Sequence, residues 1–137
     1  MHTGADTGTI DLYGVSGLSD GELDEFAAVL DRRRHDDVVE AEHLAETLGT
    51  LLASRSESTA DDEHDPEGPT LSSEWSRLQA LRSDAAADLA AVEAAGARLQ
   101  DGSFGLCTHC GRAIGVDRLR ARPTAELCIQ CAIAAER

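Results

Sequence analysis

Four cysteines in the last third of the chain carry the chemistry: Cys107-x2-Cys110-x17-Cys128-x2-Cys131. Two residues between the members of a pair let both thiolates reach one ion, and two such knuckles complete a tetrahedron of soft ligands suited to zinc. Gly111, directly after Cys110, suits the tight turn of a knuckle. The intervening 17 residues fall within the usual ~15–20 for paired CxxC zinc sites. Four cysteine ligands leave no open position for water, so the spacing predicts one structural Zn2+ rather than a catalytic one. A redox CxxC pair or two disulfides are the competing chemistries, and the spacing favours zinc over both. His109 lies between the first two cysteines and would be a fifth donor, so it reads as an exposed bystander. No His/Ser/Asp or paired-acid constellation suggests an enzyme.

The elements that must hold this module are helical. Ser19-Asp20-Gly21-Glu22 is a capping box, predicting a long helix to about residue 55. Its apolar positions are Leu23, Phe26, Leu30, Val38, Ala41, Leu44, Leu48, Leu51 and Leu52, interrupted by the charged run from Arg32 to Asp37. Residues 56–69 hold six acids, two prolines, one glycine and no base, which reads as a turn. A second helix is expected over about 71–101, where Leu71, Trp75, Leu78, Arg82, Ala85, Leu89, Val92, Gly96 and Leu99 follow a heptad. Arg82 and Gly96 are flaws in that seam, and Trp75 reads as seam packing. Asp101-Gly102-Ser103-Phe104-Gly105 ends the helix, and a short C-terminal helix follows from about Ala125. The expected fold is mainly α: an antiparallel helical hairpin, a coiled-coil rod, with a small C-terminal four-cysteine zinc finger and a short C-terminal helix. The expected divisions are a flexible tail over 1–18, a hairpin over 19–101 with an acidic tip loop at 56–69, and a finger over 102–137.

Composition agrees with helices rather than a large core. The 137 residues include only four aromatics, Tyr13, Phe26, Trp75 and Phe104. Alanine supplies much of the 42% hydrophobic content; it favours helix and buries little area. Net charge is −14, unevenly spread: residues 1–106 carry 7 Arg against 23 acids, a net −16, and residues 107–137 carry 5 Arg against 3 acids, a net +2. Such an acidic body repels a phosphate backbone, which argues against autonomous nucleic-acid binding. Arg112, Arg118, Arg120, Arg122 and Arg137 come without an aromatic stacking platform, so they read as a solvated face with local salt bridges. The run Arg32-Arg33-Arg34 likewise reads first as a solvated helix face. No run of about 18 uncharged apolar residues suggests a membrane helix. The N-terminus lacks the pattern of a signal peptide, so the expected compartment is the cytoplasm, where thiols stay reduced.

These residues spell a recognisable pattern. Cys107-x2-Cys110-x3-Ile114-x3-Arg118-x4-Pro123-x4-Cys128-x2-Cys131, with Phe104-Gly105 before it, Arg118-Leu119 within it and Ala121-Arg122-Pro123-Thr124-Ala125, resembles the DksA/TraR C4-type zinc finger. Thr108 departs from the Ser, Asp or Glu more usual in the family after the first cysteine. The match covers about 30 residues; the hairpin upstream agrees in architecture and in its place in the chain.

The resemblance implies a regulator that binds bacterial RNA polymerase through its secondary channel. It would modulate initiation without sequence-specific DNA binding. Separately, the Arg82 and Gly96 flaws argue against a long dimer seam, so a monomer is expected, and the closed zinc shell argues against an enzyme. The family's tip motif resembles Asp-x-x-Asp-x-Ala. Here Asp62-x-x-Asp65-x-Glu67 fits best, with Glu67 in place of Ala, and an alignment shifted by two residues places His64 and Glu67 at the two Asp positions. A merely solvated acidic turn is the plainer alternative. Some members also bind ppGpp through basic residues on the second helix, in the Arg-Pro motif and just after the last cysteine. Only Arg122 matches, with Ala91 and Ala132 at the other two places, so a weak or absent ppGpp response is expected. Two readings from other classes remain: a zinc-stabilised coiled-coil adaptor for another protein, and a thiol redox sensor that releases zinc on oxidation.

Overall fold

The computed structural model describes residues 15–61 and 68–137, with side chains over 15–55 and 70–137. Four helices follow in order: α1 (Asp20–Asp61), α2 (Gly68–Asp101), α3 (Val116–Ala121) and α4 (Ile129–Ala135). Among the described residues the only extended pairing is a single antiparallel bridge between Leu106 and Ala113. The fold is therefore mainly α, as the helical periodicity implied.

The start of α1 is set by the capping box. The Ser19 N–H donates to Glu22 Oε1 at 2.9 Å, and the Glu22 N–H donates to Ser19 Oγ at 3.1 Å. Two amides that the helix cannot satisfy internally are thereby paired. The helix runs beyond the expected end near residue 55, through Asp61. Residues 56–61 contain neither Pro nor Gly, so nothing in the backbone stops it there. The second helix starts at Gly68 rather than about Leu71. Pro69 is tolerated because first-turn N–H groups have no intrahelical acceptor. At its other end Gly102 adopts φ 85°, and Ser103 N–H reaches back to the Arg98 carbonyl at 3.0 Å. This is a Schellman closure, and it needs the left-handed conformation that glycine adopts without cost. Asp101 Oδ1 reinforces it by accepting from the Ser103 N–H at 2.9 Å and the Ser103 hydroxyl at 2.6 Å.

Close packing divides the chain into two compact units. One is Arg34–Ala90, whose core is Leu44, Leu48 and Leu78, flanked by Leu51, Trp75 and Ala85. Trp75 is half-buried here and fills the seam as its heptad position implied. Leu52 does not: it is 53% exposed. Leu48 and Leu51 already occupy the inward face, and a residue one step further along a helix turns away by about 100°.

The other unit joins the N-terminal stretch up to Arg33 to Ala91–Arg137. Phe26, Leu30, Val92, Ala95, Phe104, Cys107, Ile114, Leu119 and Cys128 form one buried cluster. The Phe26 and Phe104 rings lie 5.4 Å apart and tilted by 44°, within the range of favourable aromatic pairs. Ala95 is fully buried although it lies outside the heptad line; its small side chain permits close approach. Of the segment read as a tail, Leu18 packs against this cluster.

Phe26 is 1% exposed, so Phe26→Ala is expected to lower unfolding free energy by about 3–5 kcal/mol, read by urea denaturation followed by circular dichroism. Leu52→Ala should stay within about 0.5 kcal/mol of wild type. Equal effects from the two would contradict this packing.

Candidate metal centre

The first knuckle is built by backbone geometry. The Cys107 N–H donates to the Arg112 carbonyl at 2.8 Å, the Gly111 N–H to the Cys107 carbonyl at 2.9 Å, and the Ile114 N–H to the Gly105 carbonyl at 2.7 Å. Gly111 takes φ 80°, the tight turn that its position after Cys110 implied. The second knuckle is a helix start: Cys128 is the N-cap of α4, and Cys131 lies three residues on, in its first turn. Residues three apart share a helix face, so both sulfurs turn the same way. Thr108 joins the knuckles, its N–H and hydroxyl both donating to the Glu126 carbonyl, at 2.8 and 3.2 Å. Arg118, on α3, donates from Nε to the Leu127 carbonyl at 2.9 Å and so fixes the residue before Cys128.

The result brings together all four sulfurs expected from the spacing. The ligand atoms of Cys107, Cys110, Cys128 and Cys131 all lie within 4.8 Å of one another. Cys110 Sγ and Cys128 Sγ are 3.8 Å apart. A tetrahedron with Zn–S bonds of about 2.3 Å requires S···S separations near 3.8 Å, whereas a disulfide requires about 2.05 Å. No disulfide joins any of the four. Cys107 and Cys128 are buried, and Cys110 and Cys131 are half-buried.

Electrostatics within the cluster also call for a cation. Burial opposes the Cys107 thiolate, but the backbone N–H groups of Cys110, Cys128 and His109 outweigh it and bring its pKa down to about 6. Cys131 is pushed up to about 12, first by desolvation, then by hydrogen bonding with the side chains of Cys128, Cys107 and Cys110, and by the Cys107 charge. The Cys107 thiolate forms readily and Cys131 then holds its proton, since adjacent like charges resist ionising together. A divalent ion removes that obstacle, and its binding must release protons. The donor set, spacing and charge therefore fit one zinc ion.

Arg120 on α3 ties the finger to α1. It meets Glu25 through Nε and Nη2, both at 3.1 Å, and approaches Glu22 at 3.9 Å. Gly105 sits at φ 88°, and a side chain there would come within 2.9 Å of Leu18 Cδ1 and 3.0 Å of Ser16 Cβ. Neither contact was legible beforehand, because each links positions far apart in sequence. The α3 helix, six residues long, was also missed; it is too short to show a period. The C-terminal helix begins at Ile129 rather than about Ala125, since Cys128 caps it. Arg122 is exposed at the end of α3. His109 is exposed as expected, but its Nδ1 lies 3.5 Å from Cys131 Sγ. Asp62, Asp65 and Glu67, with His64, lie outside the described residues.

Fold and site together define a four-cysteine zinc finger packed on the ends of two long helices. Residues 102–137 match the model of the prokaryotic dksA/traR C4-type zinc finger. Over 45 residues the chain is 51% identical to the RNA polymerase-binding transcription factor DksA of Haemophilus influenzae, covering 33% of this chain and 31% of that protein. Over 39 residues it is 54% identical to the protein of the same name from Escherichia coli K12, covering 28% and 26%. The chain thus matches under a third of the length of these relatives. The fold is similar to that of transcription factor DksA2 from Pseudomonas aeruginosa, with TM-score 0.73, 24% identity and 88% of each chain covered.

Purified protein is expected to carry one equivalent of zinc, with affinity falling as pH falls because protons compete for the sulfurs. Metal analysis with a chelator titration at two pH values checks this; less than half an equivalent would contradict it. The hydrogen bond from Arg120, with its charge, holds the Glu25 pKa below the ordinary carboxylate value, against a smaller opposing desolvation. A depressed folded pKa contributes stability above the unfolded value and loses it as pH falls through the folded one. Arg120→Ala should therefore raise the Glu25 titration midpoint in carboxyl-carbon NMR, with little change in stability because the pair is exposed.

Proposed function

We propose that this protein is a transcription regulator that binds bacterial RNA polymerase, its helical hairpin entering the secondary channel to modulate initiation. The observation that carries the reading is the finger: residues 102–137 match the family model, and stretches of 45 and 39 residues of the chain are 51% and 54% identical to proteins named for binding RNA polymerase. The likeness in fold over 88% of the chain supports the same architecture. In this reading Cys107, Cys110, Cys128 and Cys131 ligate the zinc. The division into a tail (1–18), a hairpin (19–101) and a finger (102–137) follows the sequence. The protein acts as a monomer in the cytoplasm, is not an enzyme and does not read DNA sequence.

The charge distribution agrees with this. A net −16 over residues 1–106 disfavours contact with a phosphate backbone. The functional acids are Asp62, Asp65 and Glu67. Arg122 contributes at most a weak ppGpp response, because Ala91 and Ala132 supply no charge at the companion positions.

Binding to purified bacterial RNA polymerase, with a Gre-type secondary-channel factor as competitor, tests the proposal. Competitive binding is the expected result. Binding without competition would reject the channel, and no binding at micromolar concentration would favour an adaptor for another partner. The double variant Asp62→Asn, Asp65→Asn should keep its fold and its polymerase affinity while changing transcript yield in vitro; unchanged yield would reduce the segment to a linker.

A further inference from the structure

The zinc centre leaves one nearby polar side chain without an assigned role. His109 belongs to the first knuckle, yet its Nδ1 faces the second, 3.5 Å from Cys131 Sγ. The sulfurs of the cluster are unequally served. Cys107 Sγ accepts from the Cys110 N–H at 3.5 Å, and the N–H groups of His109 and Cys128 also act on it. Cys131 sits within α4 and is surrounded chiefly by the other three cysteine side chains. It is also only half-buried, so water can compete for it.

A zinc ion with four thiolates carries more negative charge than the metal offsets. Hydrogen bonds from N–H groups to sulfur spread that charge and orient the ligand, and outer groups of this kind govern how firmly a metal is held. For Cys107 the backbone performs this task. For Cys131 the imidazole is the donor within reach.

We infer that His109, in its Nδ1–H tautomer, donates a hydrogen bond to the Cys131 thiolate and acts as a positioning residue that slows zinc loss from the finger. The zinc itself stays four-coordinate, with His109 outside the ligand set. The exposed ring bridges the first knuckle to the second, as Thr108 does through its contact with the Glu126 carbonyl. It thus restrains one of the two half-buried ligands. This inference rests on the four-cysteine zinc reading, and the experiment separates the two.

The test uses the full-length zinc-loaded chain and the transfer of zinc to a chromogenic chelator. His109→Ala and His109→Phe should both release zinc about tenfold faster, the lower end of the effect expected for an outer-shell partner. His109→Asn, whose amide N–H can take the place of Nδ1–H, should restore a rate close to wild type. Phe keeps ring bulk without a donor, so a wild-type rate for His109→Phe would overturn the inference. Long-range 15N–1H correlation spectra of the wild-type chain should show the proton on Nδ1, and with 113Cd in place of zinc a coupling from that proton to the metal. A proton on Nε2 with Nδ1 bare would overturn it, as would a reactive Cys131 thiol in the loaded protein with Nδ1 bound to the metal. Less than half an equivalent of zinc in the wild type would overturn the zinc reading and this inference with it. Full zinc loading combined with unaltered release in His109→Ala would overturn this inference alone.

Discussion

Residues 102–137 contain few large apolar side chains. Phe104, Ile114 and Leu119 are the ones buried, and two of the four sulfurs are buried beside them. A segment of this size with so little apolar area cannot offset its conformational entropy by burial. Four sulfurs held around one ion supply the missing cross-link, since binding free energy at a structural zinc site is folding free energy. The thiolate cluster is also the point at which the backbone turns of both knuckles, the α4 N-terminus and the Arg118 contact converge. Without the ion, the desolvation that opposes charge on both Cys107 and Cys131, with the Cys107 charge acting on Cys131, would oppose that convergence.

The finger is not an appendage on the helices beside it. Phe104 precedes the first cysteine and meets Phe26 of α1, so the turn that leads into the knuckle is also part of the helical core. Gly105 lets Leu18 and Ser16 lie directly on that turn. Arg120 adds an exposed ion pair to Glu25, which contributes register more than energy. For a protein proposed to present one end of a hairpin to a large enzyme, such a base matters. Contacts made by the finger are transmitted to the start of α1 and the end of α2 by close packing rather than by a linker.

Sequence reading succeeded where the relevant physics is local. The capping box needs only residues three apart, and both of its hydrogen bonds are present. The heptad places Leu78 and Val92 in the core because helical geometry repeats regardless of partner. It erred where termination depends on what is absent. The stretch after residue 55 looks like a loop by charge and serine content, but without Pro or Gly the helix continues through Asp61. It also overvalued Leu52, because apolar character alone does not say which face of a helix is already filled.

The types and spacing of the four cysteines determined the zinc site by themselves, because two knuckles with two-residue spacing have one soft tetrahedral solution. Residue types likewise determined the helical class and the acidic character of the body. Tertiary structure alone decided the contacts that join distant positions: Arg120 to Glu25, Leu18 to Gly105, Phe26 to Phe104, and His109 to Cys131. The reason is geometric. Spacing constrains neighbours a few residues apart, whereas these pairs meet only after the knuckles have closed and carried their side chains onto the helices and one another.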